Sequence, residues 1–136
     1  MLESVQRLFT RRLPGLKFLP YSERLQTLNI PSLELRRLRA DLVLRYKILN
    51  GFIAGPPEAY GLILCKSKTR GHDLKLFHDH VCIEARRNFY ANRVTEPWNA
   101  LSQETVRSTS VQSFKRILMT CDLTKFLTQN FDASDE

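Results

Sequence analysis

The chain has 136 residues, 43% of them hydrophobic and 26% charged, with a formal net charge of +7. That length and composition fit one globular domain burying roughly two-thirds of its unfolded surface, and exclude a wholly disordered chain. Three scattered cysteines, Cys65, Cys82 and Cys121, exclude a disulfide framework, and no apolar run approaches a membrane span.

Leu2, Val5, Phe9 and Leu13 recur at helical spacing and predict a first helix, with Arg7 and Arg11 together on the opposite face. Pro14 and Gly15 stop it. A short element follows over residues 22–28, with Ser22 as its expected N-cap. Pro31 and Ser32 open a long basic helix over residues 32–50, and Gly51 closes it as a left-handed cap. On its wheel Leu35, Leu38, Leu42, Tyr46 and Leu49 form one stripe. Leu33, Ala40, Leu44 and Ile48 form a second on roughly the opposite side, the pattern of a helix sandwiched in a bundle. In one gap between stripes, Asp41 lies four residues from both Arg37 and Arg45 and is expected to neutralise part of their charge. In the other gap, Arg36, Arg39 and Lys47 face no acid at matching spacing. That trio is the leading candidate for a phosphate-facing strip, with plain solvated side chains as the alternative.

Residues 54–61, with Pro56, Pro57 and two glycines, read as a loop or short helix start. Lys66, Lys68 and Arg70 make a basic polar loop, and residues 74–83 read as a strand or an irregular extended segment. Residues 86–94 mix aromatics with basics. Pro97 suits the first turn of a short helix through Trp98 and Leu101. A last helix is capped near Ser110 and buries Phe114, Ile117, Leu118 and Cys121. The expected fold is mainly α: a small helical bundle-like domain over residues 1–128. Its central two-sided helix covers about 32–50, with a minor extended segment near 74–83 and a frayed acidic tail at 129–136.

The charge is uneven. Residues 1–50 hold ten Lys/Arg against four Asp/Glu, residues 51–100 seven against five, and residues 101–136 four against five. A basic N-terminal part points to phosphate backbone or an anionic surface, unless it is only solvated or meets an acidic protein. Glu3 and Arg7 stand where a signal peptide needs an apolar core, so the chain is expected inside the cell, nuclear or cytoplasmic, with no membrane.

Specific chemistry is sparse. Cys65, His72, His78, His80 and Cys82 fall within eighteen residues, and a strand over 78–82 would point His78, His80 and Cys82 to one face. No Cys-x-x-Cys or Cys-x-x-x-His spacing supports zinc there, so surface or loop positions for His78 and His80 and core packing for Cys82 and Cys121 are preferred. Thr69, Arg70, Gly71 and His72 are too short for a phosphate loop and lack its lysine and helix. Phe89, Tyr90 and Arg93 would stack single-stranded bases on an exposed face, but the preferred reading puts Phe89 and Trp98 in the core. No cofactor is expected.

Four blocks carry a family resemblance. The first joins residues 2–7 to 12–16; the second joins 21–25 to 32–41 and 46–51; the third is 69–72 with 74–76. The fourth comprises 87–89, 92–94, Trp98-Asn-Ala-Leu101 and 113–115. In order and spacing they resemble the region downstream of the polymerase core in Jockey-like and related non-LTR retrotransposon reverse transcriptases. Ser102 replaces the family's usual proline after Trp-Asn-x-Leu, and the loop after Gly51 lacks its aromatic pair. Both departures fit tolerated loop changes or drift in a decayed element copy. The matched block makes His72 a structural hydrogen-bonding residue.

The resemblance implies a parent with endonuclease and RNA-directed DNA polymerase domains. Such a polymerase needs paired aspartates to hold two magnesium ions, and this chain has no Asp-Asp pair. Asp41, Asp73 and Asp79 stand in unrelated contexts, so the chain is not expected to be an enzyme. The expected role is auxiliary, non-specific binding of RNA or DNA backbone beside the upstream polymerase domain. The expected phosphate contacts are Arg7, Arg11, Arg36, Arg39, Lys47, Lys66, Lys68 and Arg70. The alternatives are an interaction module packed on that polymerase, or a functionless translated fragment, since Met1 immediately precedes the first block.

Overall fold

The computed structural model of the chain describes residues 2–65, 70–77, 82–83, 85 and 89–128. Its elements are mainly helical: α1 (Leu2–Arg11), α2 (Tyr21–Leu28), α3 (Leu33–Leu49), α4 (Tyr90–Arg93), α5 (Thr95–Asn99), α6 (Gln103–Val106) and α7 (Val111–Thr120). Short 3-10 turns occupy Pro57–Tyr60 and Thr124–Phe126. The expected extended segment is reduced, among the described residues, to an isolated antiparallel bridge between Leu64 and Leu76. Part of the 74–83 stretch and the whole 129–136 tail lie outside the described residues. The fold divides into two compact units, one of Met1–Arg37 with Leu123–Glu136 and one of Leu38–Asp122.

In the first unit, α1 turns its polar side inward. Glu3 and Thr10 are buried and Gln6 and Arg7 half-buried, while Val5, Leu8 and Phe9 are more than half exposed. Val5 and Phe9 of the expected apolar stripe are therefore on the outer face, while Leu13, beyond the helix, is half-buried. Specific bonds hold the inversion. The Tyr21 hydroxyl donates to Glu3 Oε1, the Glu34 amide donates to Glu3 Oε2 at 3.2 Å, and Gln6 donates to the Pro31 carbonyl at 3.2 Å. The carboxylate so placed also faces the positive end of the α3 dipole. Leu16, Tyr21, Leu25 and Leu123 are the buried apolar side chains of this unit.

Capping follows the sequence at some ends and not at others. Pro20, in an extended conformation, precedes α2, and Ser22 lies inside the helix without capping it. The other end of α2 is closed by Asn29 at φ 51°, with Ile30 N–H reaching back to the Leu25 carbonyl at 3.0 Å. Ser32 caps α3 through the Leu35 amide at 3.2 Å. Gly51, at φ 73°, ends it in a Schellman arrangement: Phe52 N–H bonds the Lys47 carbonyl at 2.9 Å and Gly51 N–H the Ile48 carbonyl at 3.3 Å. Phe52 then stacks on Tyr46, ring centroids 6.2 Å apart, which is the apolar contact such a cap favours. Ser110 caps α7 through the Ser113 amide at 3.1 Å.

The second unit has the larger core. Tyr46 of α3 stacks on Phe114 of α7 at 4.4 Å, and Trp98 of α5 tilts against Phe114 at 6.1 Å. Leu42, Ile48, Leu62, Val94 and Val106 are also buried there. Asn99 stands in for a strand partner: its side chain accepts from Leu76 N–H and donates to the Leu76 carbonyl, both at 2.8 Å. The second stripe of α3 is covered at Ile48 but open at Ala40 and Leu44. Phe114 and Leu118 fill the core as expected, with Ile117 and Cys121 half-buried.

Candidate nucleic-acid interface

Of the expected phosphate contacts, Arg11, Arg36 and Arg70 are exposed and form no ion pair among the described residues. Lys66 and Lys68 lie outside the described residues. Arg7 is withdrawn from the set. It is half-buried, and its guanidinium sits 4.9 Å from the centroid of the Tyr21 ring, a cation–π contact that holds the inverted α1.

Two described acids of the first unit accept hydrogen bonds within it. Glu3 is buried against Tyr21, and Glu34 accepts from Thr128 N–H at 2.8 Å and from its hydroxyl at 2.7 Å. Arg11, Arg12, Lys17, Arg36, Arg37 and Lys125 stay exposed, against Glu23 alone among the described acids of this unit. The donors to Glu3 and Glu34 are neutral groups, so these bonds cancel no acidic charge; the excess of cations lies in which of the described side chains are exposed. Arg12, Lys17 and Arg37 were missed by sequence reasoning. Asp41, four residues on from Arg37, bonds Arg93 and leaves Arg37 exposed.

Asp41 is held by Arg93, whose Nη2 and Nε donate to Oδ2 at 2.7 and 3.1 Å. Arg45, its other expected partner, is fully buried instead. The Arg45 guanidinium donates to the Ala91 carbonyl at 2.9 Å and to the Thr95 hydroxyl at 3.1 Å, with the Tyr90 ring centroid 5.3 Å away. Burial pushes Arg45 below the usual arginine range, and Tyr90 and Asp41 pull it partly back. This network removes Tyr90 and Arg93 from any exposed stacking face. Phe89 is not core: it is 70% exposed and lines a hollow of about 580 Å³ with Tyr60, Ile63 and Phe77. Trp98 is fully buried and donates from its indole to the Leu74 carbonyl at 2.9 Å.

In the second unit Arg39 and Lys47 stand along one side of α3, about two turns apart. Both line an open groove of about 700 Å³ along α3 and α7, joined by Lys115, with no carboxylate among the lining residues. Arg39 is partly engaged, since its Nη2 lies 3.5 Å from the Met119 carbonyl at the end of α7. Lys115 was missed as a site residue. Its signal is the recurrence of Val111, Lys115 and Met119 at four-residue spacing.

His72 is a buried packing residue. Its Nε2 lies 2.9 Å from the Trp98 carbonyl, which only accepts, so Nε2 carries the proton. Its Nδ1 is buried with no hydrogen-bond partner, and burial lowers the imidazole below its ordinary value. Cys82 is exposed rather than packed in the core as expected, while His78 and His80 lie outside the described residues. Among the described residues no three His, Cys, Asp or Glu side chains gather to hold a metal. Asp73 is bound by Arg107, and Asp79 lies outside the described residues. No helix among the described residues is long and apolar enough to cross a membrane. No protein-family model, curated protein or solved structure matches the chain.

Proposed function

We propose that the chain is an auxiliary nucleic-acid-binding module that grips phosphate backbone without reading sequence and without catalysing a reaction by itself. The order of its sequence blocks suggests the tail of a non-LTR retrotransposon reverse transcriptase. In that setting it would steady template RNA or target DNA beside the upstream polymerase domain, in the nucleus or cytoplasm. The observation that supports the reading is the exposed charge of the first unit: among its described residues six cations are exposed against one acid, Glu23. Exposed Arg and Lys side chains suit backbone contact, which requires charge and reach but no fixed base geometry.

The test is binding of labelled single-stranded RNA and duplex DNA to the purified chain across a salt series. The logarithm of affinity should fall linearly with the logarithm of salt, with a slope matching roughly four to eight neutralised phosphates. Absence of binding at low salt by the folded chain would falsify the proposal.

A second reading rests on a different feature. Val5, Leu8 and Phe9 give α1 an exposed apolar face, which suits an interaction module packed on the polymerase domain. A chain that self-associates until Val5 and Phe9 are made polar, and binds no nucleic acid, would favour it. A chain molten on its own would favour a functionless fragment.

A further inference from the structure

We propose that the groove between α3 and α7 binds an acidic amphipathic helix of a partner protein. This goes beyond phosphate binding and uses different residues from the exposed arginines of the first unit.

The walls of the groove are two helical rows. Arg39, Val43 and Lys47 stand four residues apart on α3, and Val111, Lys115 and Met119 do so on α7. Each row therefore runs about 12 Å, roughly two helical turns. Between them the surface is mostly apolar and open: Leu44 is 39% exposed, Phe52 59% and Met119 63%. Three cations, Arg39, Lys47 and Lys115, edge it, and no lining residue is acidic.

That chemistry selects the occupant. An apolar floor rewards apolar anchors, and an all-basic rim rewards carboxylates beside them. Two turns of groove match a helix that presents anchors at i, i+3, i+4 and i+7. A nucleic-acid backbone satisfies the rim but gains nothing from Val43, Leu44 or Met119. A second copy of this chain is disfavoured by charge. The exposed apolar face of α1 is followed by Arg11 and Arg12, which would set cation against cation. Phe52 is fixed at the groove by the Gly51 cap and its stacking on Tyr46, so this part of the surface is pre-formed.

The experiment is fluorescence anisotropy on the full chain with a labelled synthetic helical peptide. Its leucines stand at i, i+3, i+4 and i+7, flanked by glutamates; a second peptide has lysine for each glutamate. Two variants accompany the native chain, Met119→Glu and the pair Lys47→Glu with Lys115→Glu, with circular dichroism to check their fold. The glutamate peptide should bind about tenfold or more tightly than the lysine peptide. Met119→Glu should weaken it about tenfold, and the double reversal should invert the preference. Equal binding of the two peptides, or a preference unchanged by both variants, would overturn the proposal. So would oleate or a single-stranded oligonucleotide binding where the glutamate peptide does not, with that binding lost in Met119→Glu. The groove would then belong to a lipid anion or to nucleic acid.

Discussion

Arg45 shows how a charge becomes structural. It is fully buried yet keeps two hydrogen-bond acceptors and an aromatic face. Truncation to alanine would leave a cavity and strip the Ala91 carbonyl of one donor, so Arg45→Ala should cost about 3 kcal/mol, read by urea unfolding. Arg45→Lys should also destabilise, because a point ammonium cannot reproduce the forked contact. His72 makes a second prediction. Its folded value is depressed by burial, so protonation favours the unfolded chain. Its contribution is complete above the ordinary value near 6.5 and is lost as pH falls below it, by at most about 1.4 kcal/mol per pH unit. Between about pH 7 and about pH 5, the native chain should lose more stability than His72→Gln. An identical loss in both would show that His72 does not titrate in this way.

At the scale of the element, α1 separates amphipathicity from burial. A helical wheel finds the apolar stripe but does not tell which side a neighbour will take. Here Tyr21, the α3 amide at Glu34 and the Pro31 carbonyl all ask for polar partners, and the polar side of α1 supplies them. Glu3→Ala would remove the carboxylate that accepts from the Tyr21 hydroxyl and the Glu34 amide, at a cost of about 2 kcal/mol. Phe9→Ser, on the exposed face, should change stability by less than about 0.5 kcal/mol. Thermal unfolding of both variants checks the inversion, and the reverse ranking would refute it. Both ends of α3 and the start of α7 were legible in the sequence because Ser32, Gly51 and Ser110 act within one turn. What was not legible depends on distant partners. Arg93 comes from far along the chain to bond Asp41, while Arg45, placed by spacing beside that acid, is buried with its hydrogen bonds on Ala91 and Thr95 and feels Asp41 only through its charge.

At the scale of the whole molecule, the net charge of +7 says less than where the charges can act. Arg7, Arg45 and Arg93 are spent on aromatic rings, carbonyls and a carboxylate, so they count in the formal charge without being offered to a ligand. Arg11, Arg36 and Arg37 are exposed and outside the cores, so removing them should leave folding nearly unchanged. On duplex DNA each phosphate contact contributes about 0.9 to the salt slope, and on single strands about 0.7. If the three arginines meet three phosphates, the triple alanine variant should flatten the slope by about two to three units on duplex DNA. Arg7→Ala should do the opposite: weaken the fold while leaving the salt slope nearly unaltered, because its guanidinium already faces Tyr21. Slopes and unfolding midpoints measured on the same two variants separate surface charge from structural charge. A slope that drops equally in both would mean that Arg7 leaves the ring to meet phosphate, and that the first unit rearranges when nucleic acid binds.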